Sequence, residues 1–261
     1  MDKISWIFSS LLFVIPIVAI SLVALYFFRK HVSVATLRKH HDVTGFTFSI
    51  IGVLYSVILG FTVINVQERH NSADKTVHTE ATMIVDLYRD ADYFDLPSRK
   101  SIRRSLRDYV NYVIHEEWNQ PFNRERRLKA DAILQAIWNS YQTVDLQKEI
   151  TKIWYEQTIT KLDRLMNARL AREFFSWDRL SSMMWAVLLS GAVVTVCFMF
   201  FFGLESLFMQ MLMTGILVAY LSFMLFLVYS LDHVFKGANH ITPKAFEETA
   251  IIFNRLDEET N

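Results

Sequence analysis

The chain has one cysteine, Cys197, and it lies inside a hydrophobic stretch, which excludes an internal disulfide and any metal site built from several cysteines. Turn-formers are scarce, with seven glycines and four prolines in 261 residues. A chain so poor in breakers reads as long helices rather than short strands joined by turns. Neither sign of charge prevails. Lysine and arginine total 27, and so do aspartate and glutamate, which leaves no net basic field to attract nucleic acid. Charge is also missing locally. Four long windows, Ile4–Phe28, Val43–Gln67, Leu180–Leu204 and Ser206–Leu231, contain no lysine, arginine, aspartate or glutamate.

Those windows decide the class of protein. A helix needs roughly 20 apolar residues to cross the hydrocarbon core, where lipid offers backbone groups no hydrogen-bond partner. A charge at the centre of such a helix costs on the order of 3 kcal/mol. Helices of a soluble core carry a polar stripe, and these windows have none. The expectation is an all-α polytopic membrane protein with four transmembrane helices. The first is read as retained, not as a cleaved signal peptide. Its apolar run is long, and the small-residue triplets Ala19–Ser21 and Ser33–Ala35 lie within the run and beyond Arg29 and Lys30. Trp6, Tyr26, Phe27, Phe28, Trp177 and Trp185 crowd the span ends as an interfacial belt does.

The chain then divides into residues 1–69 with the first pair of spans (4–28 and 43–67), a charged extramembrane helical domain over 70–179, a second pair over 180–231, and a C-terminal tail over 232–261. In the domain, apolar residues recur at three- and four-residue steps. Met83, Ile84, Leu87 and Tyr88 share a face, as do Ile102, Leu106, Tyr109, Val110, Val113 and Ile114. Further stretches are Ala130, Ile133, Leu134, Ile137 and Trp138, then Ile150, Ile153, Trp154, Leu162, Leu165 and Leu170. Breaks are expected at Leu96-Pro97-Ser98, with Ser98 as a cap, and at Asn119-Gln120-Pro121. No glycine or proline lies between Phe61 and Leu96, so the second span should continue into the domain through Glu68 and Arg69. The last domain helix should run almost without a break into the third span.

No phosphate loop, dinucleotide glycine pattern, nucleophile elbow, HExxH or zinc spacing is present. Neither a catalytic residue, a metal nor a cofactor is expected. His40 and His41 could ligate a metal, but neighbours on a helix point apart, and the pair reads better as part of a basic juxtamembrane loop. His115-Glu116-Glu117 reads as a solvated helix end. Arg99, Lys100, Arg103, Arg104 and Arg107 form either an anionic-lipid or nucleotide patch or a solvated face paired with Asp90, Asp92 and Asp95.

The second span holds the most structured pattern. Val53, Val57 and Phe61 fall at four-residue steps, and Gly52, Ser56 and Gly60 form a small-residue stripe beside them. The small stripe permits close helix packing, and the bulky face suits either ordinary packing or a hydrophobic constriction formed with copies of itself.

This stretch resembles the pore helix of bestrophins, the pentameric ion channels, through Phe48, Ser49, Gly52, Val53, Val57, Leu59, Gly60 and Phe61. The order of two spans, helical domain, two spans and tail is similar too. Asp232 to Gly237, with Ile241, Pro243 and Phe246, looks like a loosened form of the family's Asp-Pro-Phe-Gly segment. Thr44–Phe46, Glu80-Ala81, Leu87–Arg89 and Phe201–Gly203 are similar to pieces of a bacterial bestrophin-like family. The resemblance implies an oligomeric channel in the lipid bilayer of the bacterial inner membrane, a homo-oligomer and by the same token a pentamer, with Val53, Val57 and Phe61 as the pore neck. The polar run that follows the Gly-Phe pair in bestrophins is replaced here by Thr62–Asn65, only Arg69 echoes the Tyr-x-Arg segment, and no acidic calcium clasp is evident. The permeant ion is therefore not implied. Arg29, Lys30, Arg38 and Lys39 against the single acid Asp42 favour a cytoplasmic first loop. The resemblance favours a cytoplasmic helical domain instead, and that architecture is preferred. The other reading of the chain is a membrane-anchored sensor or scaffold whose helical domain binds a partner.

Overall fold

A computed structural model describes residues 2–38, 41–118, 124–237 and 239–260. Lys39 and His40, and with His40 the two-histidine pair, lie outside the described residues, as does the expected break at Asn119-Gln120-Pro121. All regular structure among the described residues is helical: α1 (Asp2–His31), α2 (Val34–Arg38), α3 (His41–Asp90), α4 (Leu96–Tyr112), α5 (Arg124–Gln142), α6 (Glu149–Trp177), α7 (Ser182–Phe200), α8 (Leu207–Asp232) and α9 (Lys244–Thr260), with a 3₁₀ turn at Ala91–Tyr93 and a π turn at Val113–Glu117. Four helices are long and apolar enough to cross a membrane, with mean hydropathies of 2.2 to 2.8 in their best windows. The chain forms two compact units, residues 1–70 with 179–240, and residues 71–178 with 241–261. Residues 241–261, read from the sequence as part of a tail, are thus a component of the second unit, through α9.

In the first unit α1 lies along α8, and α3 packs on α7 and α8. Tyr55, Leu59 and Val66 of α3 meet Leu188 and Ala192 of α7 and Leu221, Leu225, Val228 and Leu231 of α8. The two large buried polar side chains of α8, Gln210 and Asp232, stand at its two ends, and each has partners. At the start, the fully buried Gln210 accepts 2.7 Å from an Arg29 guanidinium nitrogen, and its amide lies 3.4 and 3.3 Å from the Met199 and Phe200 carbonyls at the end of α7. At the other end Asp232 accepts 2.8 Å from the Leu180 amide and pairs at 3.2 Å with Arg69, which also donates 2.9 Å to the Asp232 carbonyl. From Gln210 to Asp232 an α-helix rises about 33 Å, close to the roughly 30 Å hydrocarbon thickness. The aromatic residues of the expected belt include Trp185, which lies edge-on to Tyr229. Gly237, at φ +94°, turns the chain after α8 in a conformation that a side chain would strain.

The second unit is held by apolar packing around a buried charge cluster. Ile84, Leu87 and Tyr88 of α3, Ile102, Leu106, Tyr109 and Val110 of α4, Ile137 and Tyr141 of α5, and Leu162 and Leu165 of α6 are all buried. Of the apolar set expected on α6, Ile150, Ile153 and Leu170 are instead exposed; they fall on the sides turned away from Leu162 and Leu165. The cap of α4 is Asp95, which accepts from the Ser98 amide at 3.2 Å, and not Ser98 itself. Pro97 explains the shift, since proline is accommodated in the first turn where its missing N–H would be unpaired anyway. Between α6 and α7 the chain leaves helix from Asp178 to Ser181, where Ser181 caps α7, so the expected near-continuous run is interrupted at the join of the two units.

His115 and Glu116 are exposed, but Glu117 is buried, contrary to the solvated helix end read from the sequence. The π turn adds residues to the helical winding and so rotates Glu117 onto the inner side. There it accepts from Arg169 at 2.5 Å and from Arg172 at 2.6 Å. Arg172 also donates to Glu80 at 2.6 and 3.1 Å, Tyr109 donates its hydroxyl to Glu80, and Arg172 stands over the Trp118 and Phe246 rings. Two glutamates and two arginines make the cluster neutral. Burial pushes the Tyr109 hydroxyl up. Burial also works against ionised Glu117, but Arg172 and Arg169 outweigh it and hold the carboxyl below its usual range.

Three of the five bases in the α4 run are paired with acids of their own unit, while Lys100 and Arg104 are exposed and have no ion-pair partner among the described residues. Arg99 lies 3.5 Å from Asp92, Arg103 pairs with Asp92 at 2.8 Å and with Asp257 of α9 at 3.0 Å, and Arg107 pairs with Asp257 at 2.7 Å. Asp90 pairs with Lys161, not with the arginines. Arg99, Arg103 and Arg107 therefore form a paired face with Asp92, and the C-terminal Asp257 is a member that sequence proximity could not indicate.

Two substitutions test the packing of the units. A Cβ on Gly191 would lie 2.4 Å from Tyr55 Cδ2, so Gly191→Val is expected to destabilise the first unit by about 1–3 kcal/mol, read as a lower melting midpoint in detergent. A midpoint equal to wild type would show that α3 and α7 do not meet there. Arg172→Met strands the buried Glu80 carboxylate and leaves Glu117 with Arg169 alone, and is expected to cost about 3–5 kcal/mol. The Glu80→Gln/Arg172→Met pair, which restores neutrality, should lose less; a single variant no worse than the double would sink the charge-coupling account. Because the Glu117 pKa is lowered by folding, its contribution is complete above its ordinary value of 4.5 and is lost as pH falls below it.

Candidate functional site

On α3 the buried positions of the first unit are Tyr55, Leu59, Thr62 and Val66. At 100° per residue these four lie within about 60° of arc, which is the whole of the side that the bundle uses. Val53, Val57 and Phe61 lie on the opposite side, and their relative exposures are 62%, 50% and 70%. Phe46 and Ile64 extend the same exposed side in both directions. The structure therefore brings the three sequence-selected residues onto one face and leaves that face uncovered within the chain.

The small stripe lies on the flank between these two sides. A Cβ on Gly52 or on Gly60 would meet nothing within 4 Å, and the Ser56 hydroxyl donates 2.9 Å to the Val53 carbonyl of its own helix. Close packing within the chain is made elsewhere, at Gly191 against Tyr55 and at Gly203 against Leu37. The flank with Gly52, Ser56 and Gly60 is accordingly not used in packing within the chain.

Chemically the face is inert. It bears aliphatic and aromatic groups, no titratable side chain from Val43 to Gln67 other than Tyr55 on the buried side, and no nucleophile. What it can do is exclude water. A ring of such faces a few ångströms apart would be an apolar constriction. His31, His115, His233 and His240 each place a ring nitrogen 2.8 to 3.0 Å from a carbonyl three or four residues earlier, and His70 lies 3.1 Å from the Asn239 carbonyl. Among the described residues no group of three or more metal-ligating side chains comes together.

The polar residues singled out by resemblance do come together. Arg69 and Asp232, 163 residues apart, form the ion pair that closes one end of the first unit. Leu180, whose amide binds the same Asp232 carboxylate, was not singled out, and no local signal marks a backbone amide.

Comparison with known proteins gives the family. A model described as Bestrophin-like domain matches residues 15–246. No curated relative is found. Among solved structures, a variant of a bacterial bestrophin homolog from Klebsiella pneumoniae superposes with a TM-score of 0.74 at 15% identity, covering 93% of this chain and 98% of its own. A second variant of that homolog gives 0.69 at 16% identity with 96% and 99% covered. A third structure of it, solved by zinc phasing, gives 0.69 at 15% with 96% and 98% covered. With an all-helical fold, four membrane-length helices and a family match that spans most of its length, this integral membrane protein belongs to the bestrophin-like family.

Proposed function

We propose that the chain is the subunit of a homo-oligomeric ion channel in which α3 lines the pore and Val53, Val57 and Phe61 form its hydrophobic neck. The observation that carries the reading is the division of α3 into two sides. Tyr55, Leu59, Thr62 and Val66 are spent on the bundle, while Val53, Val57 and Phe61 stand at 62%, 50% and 70% exposure on the far side. Gly52, Ser56 and Gly60 flank that side with a strip on which a neighbouring copy of the helix can approach closely. Family membership supplies the context, since bestrophins are pentameric channels, and a five-fold assembly is the oligomer this reading adopts.

The neck acts through dewetting. An apolar ring too narrow for a continuous water column raises the free energy of a hydrated ion passing it, and shortening the side chains lowers that barrier. Val53→Ala with Val57→Ala is expected to raise single-channel current in planar bilayers relative to wild type, and the oligomer should persist in detergent because neither residue is used in the core of the first unit. Silent bilayers with verified insertion of the purified oligomer would remove the channel reading.

The second unit is assigned to the cytoplasmic side of a bacterial inner membrane, by the family's architecture. A single cysteine introduced at the exposed Lys148 in a Cys197→Ser background should resist a membrane-impermeant maleimide in intact cells and react after permeabilisation. Labelling without permeabilisation would invert the topology.

A further inference from the structure

The exposed side of α3 does not end at Phe61. Glu68 follows seven residues later, and at 100° per residue its direction is within about 20° of that of Phe61. It is exposed, and among the described residues its carboxylate has no hydrogen-bond or ion-pair partner. The adjacent cation does not compensate it. Arg69 faces the bundle, at 3.2 Å from the Asp232 carboxylate and 2.9 Å from the Asp232 carbonyl. Arg69 is also the only lysine or arginine between His41 and His70. At the other end of the apolar segment Asp42 is exposed too, eleven residues before Val53 and within about 20° of its direction. Its carboxylate has the His41 Nδ1 at 3.7 Å, a partner that is charged only when protonated. The apolar side of α3 is thus bounded at both ends by acids and carries no free base.

We infer that Glu68 sets the charge selectivity of the pore, as a ring of carboxylates at one end of the neck that favours small monovalent cations over anions. The inference rests on the channel reading, because a single Glu68 facing solvent selects nothing; repeated around an axis, it raises the local cation concentration and repels anions at the point where ions are about to shed water. Asp42 contributes less, since eleven residues separate it from Val53 against seven between Phe61 and Glu68, and it stands farther from the neck. Arg69 matters indirectly. Its commitment to Asp232 keeps a positive charge one residue away from cancelling the ring.

The test uses the full-length oligomer in planar bilayers under a KCl gradient, with size-exclusion profiles to confirm that each variant assembles. Wild type is expected to pass potassium in preference to chloride. Glu68→Gln is expected to lower that permeability ratio by about fourfold or more, the effect of one unit charge about 5 Å from an ion in bulk water, and Glu68→Lys to bring it below unity. The wild-type preference should also shrink between 0.1 and 1 M KCl, as the screening length falls from about 10 to about 3 Å. A conducting wild type that prefers chloride overturns the inference while leaving the channel reading in place. So does an unchanged ratio in Glu68→Gln, or a ratio that responds to Asp42→Asn alone. Absence of current in every variant overturns both.

Discussion

A helix inside a bilayer has no aqueous side to retreat to, so every face of it must be accounted for by protein, lipid or a water-filled path. In this chain α3 is the helix on which that accounting turns. Its Tyr55, Leu59, Thr62 and Val66 are used up by α7 and α8, and Gly191 lets Tyr55 sit against the α7 backbone at a distance that any side chain there would forbid. That contact fixes the rotation of α3 about its own axis. Once the rotation is fixed, the direction of Val53, Val57 and Phe61 is fixed with it, half a turn away from the bundle. The candidate neck is in this sense a consequence of packing at positions that carry no function of their own.

The depth of the same unit is set by its polar groups. Gln210 and Asp232 mark the beginning and end of α8, and each gathers partners from other segments: Arg29 with the last carbonyls of α7 in one case, Arg69 with the Leu180 amide in the other. A buried amide or carboxylate with its hydrogen bonds filled tolerates a boundary position, whereas one moved toward the hydrocarbon centre would lose them at several kcal/mol. Thr214, Ser222 and Ser230, the buried polar residues between them on α8, carry short hydroxyls that cost far less to place in an apolar interior. α8 is also the span most enclosed by protein, with 39% of its window buried against 6% for that of α1. It is the staff on which the other three are arranged.

What the sequence made legible follows from how each feature is encoded. The spans are encoded by the absence of charge over windows longer than a bilayer, which no tertiary contact can counterfeit. The face of Val53, Val57 and Phe61 is encoded by local spacing, and the spacing survives in the structure. The Ser98 cap was misplaced by three residues because Asp95 and Ser98 are both good capping residues, and Pro97 in the first turn decides between them. The interruption at Asp178–Ser181 is carried by no glycine or proline at all. Glu117 was hidden for another reason. Its neighbours His115 and Glu116 are solvated, and only the π turn at Val113–Glu117 separates its fate from theirs. Its partners Arg169 and Arg172 are more than fifty residues away, as Asp257 is more than a hundred from Arg103 and Arg107. Pairings at such range leave no periodic trace.

These pairings give meaning to the charges that remain unpaired. In the second unit the buried cluster is neutral by count, and Arg99, Arg103 and Arg107 of α4 are matched by Asp92 and Asp257. In the first unit Arg38 is matched by Glu205 at 2.6 Å and Arg69 by Asp232. Against these pairs Glu68, on the exposed side of α3, stands without an ion-pair partner among the described residues. An uncompensated carboxylate at the end of a long apolar face is costly to keep near a membrane unless water reaches it. In the proposed channel the water that reaches Glu68 is that of the pore on which Val53, Val57 and Phe61 also border, so one aqueous path accounts for the exposure of all four.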